Sequence, residues 1–221
     1  MTCSQCVGVA RQFDDRVARR QLRRYRKKGP PKATRQLLDA IAGESARGVT
    51  FLDIGGGVGM IQHELMAAGA SAGTSVEASP AYLATAKGEA EERGYASRMR
   101  YVEGDLVAVQ ADLESADCVT LDRVVCCYHD MPALIDASAP RARRTYGLVY
   151  PRDTRLMKLA IGTLNLVQRL RRHPFRAFVH PTAAVEARVT SHGLSKSFHA
   201  RSLLWQVVVF SRPSAPATPG A

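Results

Sequence analysis

The residues of this chain best suited to chemistry are acids that close apolar runs. In Phe51-Leu52-Asp53-Ile54-Gly55-Gly56-Gly57-Val58-Gly59 a carboxylate sits near the end of such a run, and glycines follow at 55, 57 and 59. Glycines there let the backbone approach a ligand closely, with no Cβ in the way. Met60 stands where a G-x-G-x-x-G pattern needs its last glycine, and no G-x-x-x-x-G-K-[ST] is present, which excludes the usual dinucleotide and phosphate loops. An acid two residues before G-x-G-x-G suits a ligand with a positive amine and no phosphate. Three later acids take comparable places: Glu77 ends an apolar run, Asp105 follows one in Gly104-Asp105-Leu106, and Asp122 ends the run that begins after Asp117. Carboxylates accept hydrogen bonds from hydroxyls, amines and ammonium groups.

These positions resemble the class I S-adenosylmethionine-dependent methyltransferases, whose first motif reads acid-x-G-x-G-x-G. The resemblance covers about residues 33–212. It implies that Asp53 serves the methionyl ammonium beside Gly55, Gly57 and Gly59. It further implies that Glu77 grips the ribose hydroxyls and that Asp105, followed by Leu106, takes the adenine amino group. Asp122 would lie at the strand end facing the transferring methyl. The implied cofactor is S-adenosylmethionine.

On the acceptor side, Tyr128-His129-Asp130 follow the same strand. A hydroxyl acceptor gains from a base of near-neutral pKa, which makes His129 the candidate catalytic base, with Tyr128 or Asp130 assisting. A carboxylate acceptor needs only alignment with the methyl group. The [DNS]-P-P-[YFW] signature of exocyclic-amine DNA methyltransferases is absent, as is a Pro-Cys pair for attack on a pyrimidine. Val125–His129 and Arg176-Ala-Phe-Val-His-Pro181 are similar to the magnesium-protoporphyrin O-methyltransferases. This chain departs from their loop in carrying Cys126-Cys127-Tyr128-His129-Asp130, so only a hydrophobic or acidic small molecule carries over as acceptor. Cys3-x-x-Cys6 has no second matching pair, and no metal is expected.

The elements that must position these residues alternate strand and helix. Strands are expected at Val49–Ile54, Thr74–Ala78, Arg100–Glu103, Cys118–Val125 and Tyr146–Tyr150. Helices are expected over Ala33–Ile41, from the glycine loop to about Ala68, and over Pro80–Arg93, Met131–Arg144, Leu156–Leu170 and Thr182–His192. Leu194–Phe198 and Leu204–Phe210 are too close for a parallel crossover and must pair antiparallel. The fold class is therefore α/β, a Rossmann-like, doubly wound, mostly parallel seven-stranded sheet with an antiparallel terminal strand. Leu156–Leu170 is apolar on more than one face, as suits a lid, a core helix or an interfacial membrane contact. Trp205 reads as core, and His173 and His180 as structural.

Before this domain lies a basic extension, residues 1–32. It is irregular over the first ten residues and helical from Arg11 to Lys28, where Gly29-Pro30-Pro31 ends it. Residues from 213 on, rich in proline, are expected to be disordered. The net charge of +11 is unevenly placed: +9 over residues 11–35, −10 over 36–140, +9 over 141–176 and +3 beyond. Such asymmetry fits an acidic small acceptor, nucleic acid or an anionic membrane surface. The leading expectation is O-methylation of a small molecule. The alternative is an RNA-directed methyltransferase or RNA-binding protein using Arg11–Arg35, where Phe13 and Tyr25 are the only aromatics in the basic run. No apolar run reaches the ~20 residues of a membrane span, and five cysteines without a secretory leader fit a reduced, cytoplasmic setting.

Overall fold

The protein, described here by a computed structural model, is placed over residues 4–42 and 46–213. Three helices open the chain: α1 (Ser4–Gln12), α2 (Asp15–Lys28) and α3 (Lys32–Ala42). An alternating stretch follows, with β1 (Thr50–Ile54), α4 (Met60–Ala67), β2 (Ala72–Glu77), α5 (Pro80–Glu92), β3 (Met99–Glu103) and the one-turn helix α6 (Leu106–Val109). Then come β4 (Ala116–Asp122), α7 (Met131–Ser138), β5 (Ala142–Pro151), α8 (Arg155–Leu170) and α9 (Thr182–Thr190), before the hairpin β6 (Ser195–Arg201) and β7 (Trp205–Ser211).

The seven strands form one sheet in the order β3-β2-β1-β4-β5-β7-β6. The first five pair parallel, and β7 runs antiparallel between β5 and β6, as expected for a sheet closed by a hairpin. Alternating side chains separate two apolar layers. Leu52, Ile54, Val119, Leu121 and Leu148 pack on the α7 and α9 side, whereas Phe51, Cys118 and Val149 meet Leu37, Ile41 and Leu65 of α3 and α4. Register aligns Ile54 with Val76 and Glu77 with Glu103, so the carboxyl ends of the parallel strands share one edge. The strand order changes direction at β1 and β4, the point where open α/β sheets bind ligands.

Four expectations need correction. The opening segment is helical from Ser4, and the run Arg11–Lys28 is broken: Asp14 caps a new helix by accepting from Val17 N at 2.9 Å. The helix expected to reach Arg144 ends at Ser138, because Pro140 lacks the N–H to continue it; Arg143 and Arg144, good helix formers, instead lie exposed on β5. β4 stops at Asp122, since Arg123 adopts φ of 62° and turns the chain into a short 3-10 helix over Val125–Cys127. Finally, α8 is not a core helix, for Met157 is its single buried residue. Cys3, the side chain of Cys6 and the tail from 214 lie outside the described residues.

Candidate active site

The glycine loop between β1 and α4 turns directly under the carboxyl edge. Gly55 has φ of +62°, and a Cβ there would lie 2.4 Å from Val124 Cγ2, so both conformation and space demand glycine. This turn aims Gly57 N at Glu77, whose Oε2 accepts at 2.9 Å, while Oε1 accepts from Ser79 N at 2.8 Å. Glu77 is thus fixed by two backbone donors. Asp53 is held as firmly: Oδ1 accepts from the Thr120 hydroxyl at 2.8 Å, and Oδ2 from Gln62 Nε2 at 3.1 Å.

Asp122 anchors a third cluster. Its Oδ2 accepts from the Thr34 hydroxyl at 2.6 Å, and Arg123 Nη2 donates to the same Thr34 oxygen at 2.8 Å. The guanidinium of Arg123 lies over the Trp205 ring, 5.5 Å from its centroid. A fourth cluster forms where Tyr128 OH donates to Asp105 Oδ1 at 2.9 Å, and Asp105 also caps α6 by accepting from Val107 N. His180 Nε2 meets Tyr128 O at 2.8 Å and so pins this loop from the segment before α9.

These clusters line two adjoining cavities. The larger, about 270 Å³, is walled by Asp53, Gly55, Gly57, Glu77, Tyr82 and Asp122. The smaller, about 80 Å³, takes Gly104, Asp105, Leu106, Tyr128 and Leu134, and the two share Val9, Gly55, Glu77, Val124 and Cys127. Val9 belongs to α1, which therefore covers both. Phe13, just beyond α1, stacks near Tyr82 at 5.2 Å and meets Phe175 edge-on at 5.7 Å; its carbonyl accepts from Ser79 Oγ.

Burial raises the pKa of all three carboxylates of the larger cavity. Asp53 is pushed up to about 7, chiefly by desolvation and further by the charges of Asp122 and Glu77. Glu77 and Asp122 are raised by desolvation as well. Burying several acids in one cavity disfavours their charged forms, and a cationic ligand relieves the repulsion. Asp122 Oδ1 and Tyr82 OH are buried without a hydrogen-bond partner among the described residues, and both residues face this cavity.

The expected catalytic trio is not gathered at the cavities. Tyr128 lies in the smaller one but is engaged with Asp105. Asp130 caps α7 by accepting from Ala133 N at 3.0 Å, and it is exposed. His129 is exposed, stacked on Tyr128 with centroids 5.6 Å apart, and lines neither cavity. The chain after the turn at Arg123 keeps Val124, Cys127 and Tyr128 on the cavity walls and leaves them only at His129 and Asp130, which are exposed. His173 accepts from Phe175 N, consistent with a structural role.

Several wall residues were not foreseen: Val9, Phe13, Tyr82, Arg123 and Trp205, with Thr34 behind them. Trp205 is half-buried, packing against the core on one side and lining the cavity on the other. The exposed edge of the hairpin and the lone cation after Asp122 were the available signals. No sequence pattern marks Thr34.

Residues 52–144 match the family described as Methyltransferase domain. That stretch is a methyltransferase domain. No curated protein matches the chain in sequence. Among solved structures, the methyltransferase is similar to the magnesium protoporphyrin IX methyltransferase from Synechocystis PCC 6803 with bound SAH. The TM-score is 0.72 at 20% identity, over 95% of this chain and 100% of that one. A putative sarcosine dimethylglycine methyltransferase from Galdieria sulphuraria aligns with TM-score 0.63 at 12% identity, covering 82% and 85% of the two chains. A putative RNA methyltransferase from Pyrococcus horikoshii aligns with TM-score 0.58 at 14% identity, over 84% of each. At such identities the likenesses establish the fold alone.

The cavity residues of this methyltransferase fit S-adenosylmethionine. Buried carboxylates with raised pKa suit its ammonium and ribose hydroxyls, and Leu106 and Leu134 give the smaller cavity an apolar wall for a base. When bound, the cofactor supplies an electrophilic methyl on a sulfonium.

Proposed function

We propose that this methyltransferase acts on a small anionic acceptor, with a carboxylate oxygen as the nucleophile. One observation carries the reading. A groove of about 760 Å³ opens beside the cofactor cavity and shares Gln21, Met60, Arg123 and Trp205 with it. Five cations line this groove (Arg20, Arg24, Lys28, Lys32 and Arg123), and no carboxylate does. Tyr25 and Trp205 add aromatic surface among them. Cations so placed hold an anion by charge, and Arg by bidentate hydrogen bonds as well.

In this reading residues 1–32 serve as the cap of the domain that follows: α2 and the Gly29–Lys32 turn wall the groove, while α1 covers the cofactor. Asp53 receives the methionyl ammonium, Glu77 the ribose hydroxyls and Asp105 the adenine amino group. Tyr128 holds Asp105 in place, and Arg123 orients the acceptor carboxylate towards the methyl. No imidazole lines the groove or either cavity among the described residues, and a carboxylate needs no base. Tyr25 and Trp205 are the only aromatic side chains among the described residues lining the groove, which is little stacking surface for an RNA strand.

The test is methyl transfer from labelled S-adenosylmethionine to a panel of planar carboxylic acids. A base-labile ester is expected. Arg24→Glu with Lys32→Glu should raise the acceptor KM by about tenfold or more, with the affinity for S-adenosylhomocysteine unchanged. Label found in RNA, or an acceptor KM indifferent to the double substitution, would contradict the reading.

A further inference from the structure

We propose that α8 docks this protein onto an anionic lipid surface. One side of the helix faces the protein. Met157 is buried, Asn165 exchanges hydrogen bonds with Ala177 at 2.8 and 2.9 Å, and Gln168 Nε2 donates to Gln12 Oε1 at 3.0 Å. The opposite side is apolar and faces solvent. Leu156, Leu159, Leu166, Val167 and Leu170 recur at helical spacing and are 56%, 69%, 57%, 38% and 75% exposed. Thr163 falls in the same stripe, and its hydroxyl donates to Leu159 O at 3.0 Å, so it carries no unmet donor into an apolar phase.

The borders of the stripe identify the occupant. Residues 154–176 contain six Lys and Arg (Arg155, Lys158, Arg169, Arg171, Arg172 and Arg176) and no Asp or Glu. None of the six makes an ion pair among the described residues. A second copy packed antiparallel on this stripe would set Arg155 and Lys158 against Arg169 and Arg171, with no acid on the helix to relieve the repulsion. An anionic headgroup layer complements the same pattern: leucines enter the acyl boundary while the flanking cations meet phosphate. Sixteen residues rise only about 24 Å, and no described helix is long and apolar enough to cross a membrane. The helix therefore lies along the surface.

Co-sedimentation of the full chain with vesicles tests this. Vesicles of equal parts phosphatidylcholine and phosphatidylglycerol should carry the protein down, and pure phosphatidylcholine far less. Leu159→Glu with Leu166→Glu should lower the partition coefficient at least about tenfold. Lys158→Gln, Arg169→Gln and Arg171→Gln together should weaken it as added salt does, and the thermal midpoint should hold in both variants. No association of the unaltered chain with anionic vesicles would overturn the proposal, as would equal association of the leucine variant. Light scattering that shows a dimer split by the leucine substitutions would assign the stripe to a second copy and overturn it too.

Discussion

Asp53 is the proposed partner of the cofactor's ammonium, and burial favours its protonated form. Asp53 is held by Thr120 and Gln62 and titrates near 7 because water is excluded from it. In the free protein it keeps a proton that the unfolded chain releases near pH 4, so this group makes unfolding easier as pH rises from about 4 to 7. Binding an ammonium needs the ionised form. Affinity for S-adenosylhomocysteine should therefore rise on the order of tenfold between pH 5.5 and 7, and Asp53→Asn should flatten that rise while weakening binding. Calorimetry across that range checks it. A second pair of substitutions separates Tyr128 from its neighbour. Tyr128→Phe removes the hydrogen bond to Asp105 and should weaken cofactor binding several-fold, whereas His129→Ala, at an exposed residue outside the cavities, should leave turnover within about twofold. The acids of this site were readable because each closes a strand or follows one, and strand ends in a parallel sheet share an edge. Thr34 was not, because its partner Asp122 lies 88 residues away and only the fold joins them.

Among the elements, the basic helix α2 is the one whose role changes most between sequence and structure. Its charge suggests a free, solvated or RNA-facing surface, yet its inner side is anchored. Tyr25 OH donates to Glu64 Oε1 at 3.0 Å, Arg93 lies over the Tyr25 ring, and Arg26 pairs with Glu89 and Glu92 of α5. Glu89 is almost fully buried, and Arg93 also pairs with it. Arg26→Ala should cost about 1 kcal/mol in a urea unfolding series, a modest sum because Arg26 is itself half-exposed. Turnover at low acceptor concentration should fall with it, since α2 walls the groove. Element order was readable from alternating periodicity, while the boundaries that failed share a cause. The Asp14 cap, the Pro140 stop and the Arg123 turn are single-residue backbone events inside runs whose composition favours continuing. The opening helix was missed because nothing in its own composition calls for it; it is held from outside. Gly8 meets Phe175 so closely that a Cβ would lie 2.9 Å from its backbone nitrogen.

For the whole molecule, the uneven charge becomes a spatial division of labour. The acidic middle of the chain supplies the cavity for a cationic cofactor, and the basic blocks on either side supply the groove and the rim of α8. Arg123 stands where these regions meet, paired with Asp122 on the cofactor side and lying over Trp205 on the acceptor side. That arrangement depends on one claim above the others: that the raised carboxylates at the carboxyl edge of the sheet hold S-adenosylmethionine. Titration of the protein with S-adenosylhomocysteine, beside its Glu77→Ala variant, tests it most directly. Saturable one-to-one binding is expected, weakened about a hundredfold or more when Glu77 is removed, because a charge-assisted contact to two hydroxyls is lost from a dry site. Absence of saturable binding, or a Glu77→Ala variant that binds as tightly as the unaltered chain, would contradict it.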